Sequence, residues 1–174
     1  MAKGKTKGAA KHRAPRRKWD KFGPLHMAYA RDAFLRDVAK MRAQANLQAI
    51  AGADMPVMCD NAGRLLFMVC RAMQLAGLEI EEAEHVQALV AMGDALALLR
   101  AEPARFDALR PALLRGMDVV EAVLHGVPVQ YLGAAAYELE QAIRKTDAQM
   151  PALTTDDITR LLPAAQACDT LAAA

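Results

Sequence analysis

The chain has 174 residues, enough for one ordinary domain plus a short appendage, and long enough to bury a core without disulfides or a structural metal. It contains 38 alanines, eight aromatic residues and few β-branched ones, which excludes an all-β fold. It has no serine, which excludes every serine nucleophile and the serine form of the P-loop, and its net charge of +2 conceals a sharp partition. Lys3, Lys5, Lys7, Lys11, Arg13, Arg16, Arg17 and Lys18 put +8 into the first eighteen residues, where no acid occurs; the remainder holds 14 basic and 20 acidic residues, a net −6.

Residues 1–18 carry too little apolar surface to offset the entropy of ordering them, and Gly4, Gly8 and Pro15 add to that. The expectation is a basic arm over residues 1–23, disordered when free, followed by an all-α domain over 24–174. Pro24 suits the first turn of a helix. Helix one is predicted over about Leu25–Ala49, with Met27, Ala30, Phe34, Val38, Met41 and Ala45 on one stripe and Gly52 as its stop. Asp54-Met55-Pro56 reads as a loop, or as a short turn before the next helix.

Helix two is predicted from an N-cap at Asp60 or Asn61 to a stop at Gly77. Phe67, Met68 and Cys70, added to the stripe Ala62, Leu65, Leu66, Val69, Met73 and Ala76, make it apolar around most of its circumference, the mark of a central helix. Helix three begins near Ile80, where Glu79, Glu81, Glu82 and Glu84 complement the positive end of the helix dipole. Its stripe is Val86, Leu89, Val90, Gly93, Leu96 and Ala97. Gly93 costs about 1 kcal/mol relative to alanine, which a close helix crossing there explains.

Pro103 ends helix three, and a short turn over Ala104–Arg110 leads to Pro111, predicted to open helix four. Its stripe is Leu113, Met117, Val120 and Leu124, and Gly126 stops it. Pro128 opens helix five, with Leu132, Ala135, Ala136, Leu139 and Ile143 inward. Met150-Pro151 breaks the chain. A last element is capped by Thr154 or Thr155, runs through Ile158, Leu161, Leu162, Ala165 and Cys168, and kinks at Pro163. The fold class expected is therefore a single compact bundle of five to six helices.

The arm is the strongest functional signal. Lysines and arginines that neutralise phosphates release counterions, giving salt-dependent and mostly sequence-independent affinity. Trp19 and Phe22 follow directly and suit stacking on exposed bases. The competing readings are that the arm solvates the protein, that it lies on an acidic body, or that Trp19 and Phe22 staple its root to helix one. A helix-turn-helix at Ala72–Val86 fails as a groove reader, because its second helix would open with four glutamates facing phosphates.

Glu82 and His85 have the Glu-x-x-His spacing of di-iron bundles, and Asp118, Glu121 and His125 share one side of helix four. The second motif has the wrong spacing and helix one contains no glutamate, so no metal site and no cofactor is expected. Cys59, Cys70 and Cys168 form neither a disulfide framework nor an activated thiol, and suit a reducing cytoplasm. Gly4-Lys5-Thr6 lacks the upstream glycine and the strand of a P-loop. No secretory apolar core follows the arm, and the apolar run Val86–Leu99 is interrupted by Gln87 and Asp94 and too short for a membrane span.

Nine body methionines read first as adaptable core packing and second as a partner groove. The alanine and arginine bias points to GC-rich coding in a bacterium or its phage. Together these features predict a cytoplasmic, non-enzymatic binding or assembly protein whose arm contacts nucleic acid, of a size that fits a phage- or plasmid-associated accessory. Another protein, or a second copy, would pair through Ala- and Met-rich helix faces. The alternative is an adaptor or inhibitor acting through the acidic body; the third reading is a metal-dependent helical-bundle enzyme.

Overall fold

A computed structural model describes residues 24–145 and 155–161. The described residues form a compact bundle: α1 Pro24–Ala51, α2 Met55–Ala76, α3 Ala83–Ala101, α4 Phe106–Gly126, α5 Val129–Lys145 and the short α6 Thr155–Thr159. No strand occurs among them. The expected arm, the break at Met150-Pro151, the kink at Pro163 and the positions of Ala165 and Cys168 lie outside the described residues.

Glycine sets two of the helix ends. Gly52 takes φ 65° after α1, and the amides of Gly52 and Ala53 both donate to the Gln48 carbonyl, at 2.9 and 3.3 Å. Gly77 takes φ 62° after α2; its amide donates to Gln74 O and that of Leu78 to Met73 O, at 3.2 and 3.0 Å. Both are left-handed caps that pair carbonyls left open at a helix end, and glycine adopts that conformation without a Cβ penalty.

Three expected boundaries are corrected. α3 starts at Ala83 rather than near Ile80, so of the four glutamates only Glu84 lies in its first turn. α2 starts at Met55 after Asp54, not at Asp60 or Asn61. Pro56 sits in its first turn, where the missing amide would have lacked an intrahelical partner anyway, so Met55 and Pro56 are helical and only Asp54, the left-handed residue before them, stays outside the helix. Asp60 lies inside α2 and pairs with Arg64 one turn on, at 2.8 Å. Pro111 likewise does not open helix four but lies inside α4. A 3-10 turn over Pro103–Arg105 feeds α4 from upstream, and buried Phe106 anchors its start against Gly52. Pro111 then forfeits one bond, to the Asp107 carbonyl, in the second turn.

α2 is the central helix, as its all-round apolarity requires. Eleven of its residues are buried, and it packs on α1, α3, α4 and α5. α3 pairs most extensively with α4, and α5 packs on α2 rather than on α4, its neighbour in sequence. α6 caps α3: Ile158 and Leu161 are buried, and the Leu161 carbonyl accepts a bond from the Ile80 amide at 2.9 Å.

α3 buries Val86, Ala88, Leu89, Met92, Ala95, Leu96 and Leu99. The expected stripe is thus displaced: Val90 and Gly93 are half-buried and Ala97 is exposed. The second buried row, Ala88, Met92, Ala95 and Leu99, exists because α3 meets α4 as well as α2. The tight crossing expected at Gly93 is found instead at Gly116 of α4, where a Cβ would overlap the side chain of Met92. A Cβ at Gly93 would make only ordinary contacts, 3.6 Å from Ile158 and 3.7 Å from Leu66.

The methionines whose side chains are described belong to the core. Met58, Met68, Met73, Met92 and Met117 are buried, and Met41 and Met55 are half-buried against them. They fill gaps between alanine-rich helices that supply little volume of their own. No polar or charged residue is fully buried among the described ones.

Candidate functional site

The nine residues singled out by sequence, Lys3, Lys5, Lys7, Lys11, Arg13, Arg16, Arg17, Lys18 and Trp19, all lie outside the described residues, as does Phe22. They precede α1, which begins at Pro24. What the structure brings to the question is the body to which this cationic segment is attached.

Three arginines of the body serve interhelical contacts. Arg71 of α2 holds Glu138 of α5 with two nitrogens, at 2.6 and 3.4 Å, and the same contact raises the Arg71 pKa further above its ordinary value. Arg64 of α2 bridges Asp60 at 2.8 Å and Glu140 of α5 at 3.1 Å. Arg42 of α1 meets Glu121 of α4 at 2.6 Å. Arg105 and Arg110 face Glu102 and Asp107 within their own turns, and Arg110 also lies over the Phe106 ring, 5.8 Å from its centroid. All five already have carboxylate partners, and Arg42, Arg64 and Arg71 join one helix to another.

The opposite sign collects at the α2–α3 connection. Glu79, Glu81, Glu82 and Glu84 are all exposed, within six residues of one another. Glu82 precedes the first turn of α3 and reaches His85 Nδ1 at 2.7 Å. The turn within Ala72–Val86, rejected above as a groove reader, thus presents carboxylates where a groove reader presents donors to phosphate.

The acids and the histidine of α4 diverge. Glu121 turns to Arg42 on α1, whereas Asp118 lines a cleft with Glu84, His85 and Arg115 between α3 and α4. His125 Nδ1 lies 2.7 Å from the Glu121 backbone carbonyl, one turn back in the same helix. Among the described residues no three His, Cys, Asp or Glu side chains come together as metal ligands would. Cys59 and Cys70 are buried and not disulfide-bonded. Burial pushes the Cys59 thiol above its ordinary pKa and outweighs the opposing charge of Arg100, so it stays protonated rather than becoming a nucleophilic thiolate.

One feature escaped the sequence reading. Leu47 and Ile50 on α1 are 67% and 62% exposed, and Leu35 is 37% exposed on the same helix. With exposed Ala39 and Ala43 they follow four- and three-residue spacing, so they form one ridge. At about 100° per residue this ridge lies roughly 140° round the helix from the core stripe of Phe34, Val38, Met41, Ala45 and Ala49. The signal was present as a second periodicity, but alanines at two of its five positions let it pass as neutral surface.

Among the described residues no helix is long and apolar enough to cross a membrane. Comparison with protein-family models, curated proteins and solved structures finds no match to this chain.

Proposed function

We propose that this is a non-enzymatic helical binding protein whose basic N-terminal segment contacts nucleic acid through phosphates, with the bundle as its carrier. The observation that carries this reading is the separation of charge. Eight cations stand in residues 1–18, while the rest of the chain is net −6 and its Arg42, Arg64 and Arg71 are engaged with carboxylates of other helices. A body of that sign repels phosphate chains, so affinity must come from the arm. Trp19, the sole tryptophan, follows the last of those cations and suits stacking on an unpaired base.

The test compares the full chain with a version lacking residues 1–18. The shortened protein is expected to keep its helical circular dichroism and lose retention of DNA and RNA. Trp19 fluorescence in the full chain is expected to be quenched by single strands.

A second reading, an adaptor or inhibitor of another protein, is favoured by the exposed glutamates at 79, 81, 82 and 84. There, removal of the arm leaves partner binding intact and Glu81→Lys with Glu84→Lys abolishes it. A protein of phage or plasmid origin fits either reading by size and composition.

A further inference from the structure

We infer that the groove between α3 and α6 is the docking site of this chain's own residues 162–174, folded back along α3 as a helix. The inference concerns the stretch after α6 and not the basic segment before α1, so it stands independently of the nucleic-acid reading.

The groove is apolar along most of its length. Ala83, Val86, Val90 and Ala91 of α3 line it with Thr155 and Thr159 of α6, around a space of about 260 Å³. The Thr159 hydroxyl donates to the Thr155 carbonyl in its own helix, so it needs no partner from the groove. Among the described residues that line the groove only Asp94, at its far end, is charged. A space of this kind takes a few small apolar side chains; it lacks the convergent polar groups that would orient a small ligand.

The path of the chain delivers the occupant. Ile158 and Leu161 are buried against the bundle, and the Leu161 carbonyl accepts the Ile80 amide at 2.9 Å. Ile80 stands three residues before α3 begins at Ala83, so residue 162 departs beside the Ala83 end of the groove. Proline at 163 disfavours helical backbone at Leu162 and itself suits the first turn of a helix. The sequence thus specifies a change of direction at that point and a new helix after it. From Ala83 to Asp94 the groove runs 11 residue steps, about 17 Å of helix, and residues 163–174 supply the same number.

The segment carries a matching face. Ala164, Ala165, Cys168, Leu171 and Ala172 recur at three- and four-residue spacing, with Gln166, Asp169 and Thr170 on the other side. Small side chains around a single leucine suit a shallow groove, and the lone charge, Asp169, stays on the outer face. The basic segment is unsuited to this place, because its cations would lose water against an apolar lining.

Native Cys168 makes the test possible in the full chain. Five steps after Pro163, it comes level with Ala88 and therefore beside Gln87, which lines the groove. Gln87→Cys should form an intramolecular disulfide with Cys168 on mild oxidation, located by peptide mass spectrometry, whereas Arg144→Cys on α5 should not. Iodoacetamide should label Cys168 at least about tenfold more slowly in the folded chain than in urea. Val90→Asp and, separately, Leu171→Asp should each remove that protection while circular dichroism stays helical, because the segment can leave the groove without opening the core. Equal labelling of Cys168 in the folded and unfolded chain overturns the proposal, as does an intramolecular link no more frequent from position 87 than from position 144. Links formed only between chains overturn it too, and would place a second copy's segment in the groove. Protection that survives both aspartate variants also overturns it, since Cys168 would then be covered elsewhere.

Discussion

Gly116 of α4 lies so close to Met92 of α3 that a Cβ on the glycine would overlap the Cβ of the methionine, not merely its flexible end. The two helices with the most extensive contact in the bundle meet there. The methionine is fully buried, so its side chain has no free space to enter.

Gly116→Ala is therefore expected to destabilise by about 1–3 kcal/mol, the range for overpacking a filled core. Gly93→Ala, also in a helix interior but with only ordinary contacts waiting, is expected to be neutral or to stabilise by up to about 1 kcal/mol through helix propensity. Urea unfolding of the two variants beside wild type reads the difference. Equal effects would mean that the α3–α4 crossing is misplaced.

Leu66 and Leu89 lie at the junction of α2 and α3, at 3% and 0% exposure. Leu66→Ala should cost about 2–5 kcal/mol through the cavity it leaves. Leu89→Asp should cost at least as much, because a carboxylate would be buried without a partner. Val90→Asp, by contrast, should be tolerated better than its place in the sequence pattern implies, since Val90 is half-buried beside the α3–α6 cleft. Thermal melts followed by circular dichroism rank the three.

The thiols give a pH prediction. Burial raises the Cys59 pKa in the folded chain, so the unfolded chain releases that proton first as pH rises. The resulting contribution to stability is present below the ordinary thiol range, near pH 8.5, and is lost as pH climbs above it toward the folded value. Iodoacetamide near neutral pH should accordingly spare Cys59 and Cys70 in the native protein and modify both once it is unfolded. Peptide mass spectrometry locates the label; rapid native labelling of Cys59 would contradict its burial.

What sequence could reveal follows from how local each cause is. Gly52 and Gly77 act on their own turns, so those two stops were legible, and the apolar circumference of α2 announced a central helix. Pro56 and Pro111 misled because proline marks a boundary in general, whereas a first-turn position tolerates it fully and a second-turn position at the loss of one bond. The choice of Gly116 over Gly93 as the close crossing depends on which side chain arrives from another helix, which periodicity along one helix does not contain. The Arg71–Glu138 and Arg64–Glu140 pairs join residues 67 and 76 positions apart, beyond any spacing rule. The candidate arm needed only composition and charge, and its cations stand in the sequence independently of the bundle.

The salt dependence of nucleic-acid binding tests the central claim most directly. Each phosphate neutralised contributes a slope of about −0.9 in log K against log salt on duplex DNA, or about −0.7 on single strands. Engagement of most of the eight arm cations predicts a slope on the order of −4 to −7 for the full chain, little dependence on base sequence, and no measurable binding once residues 1–18 are removed. Failure of the full chain to retain nucleic acid even at low salt, or retention by the shortened protein with an undiminished slope, would contradict the account.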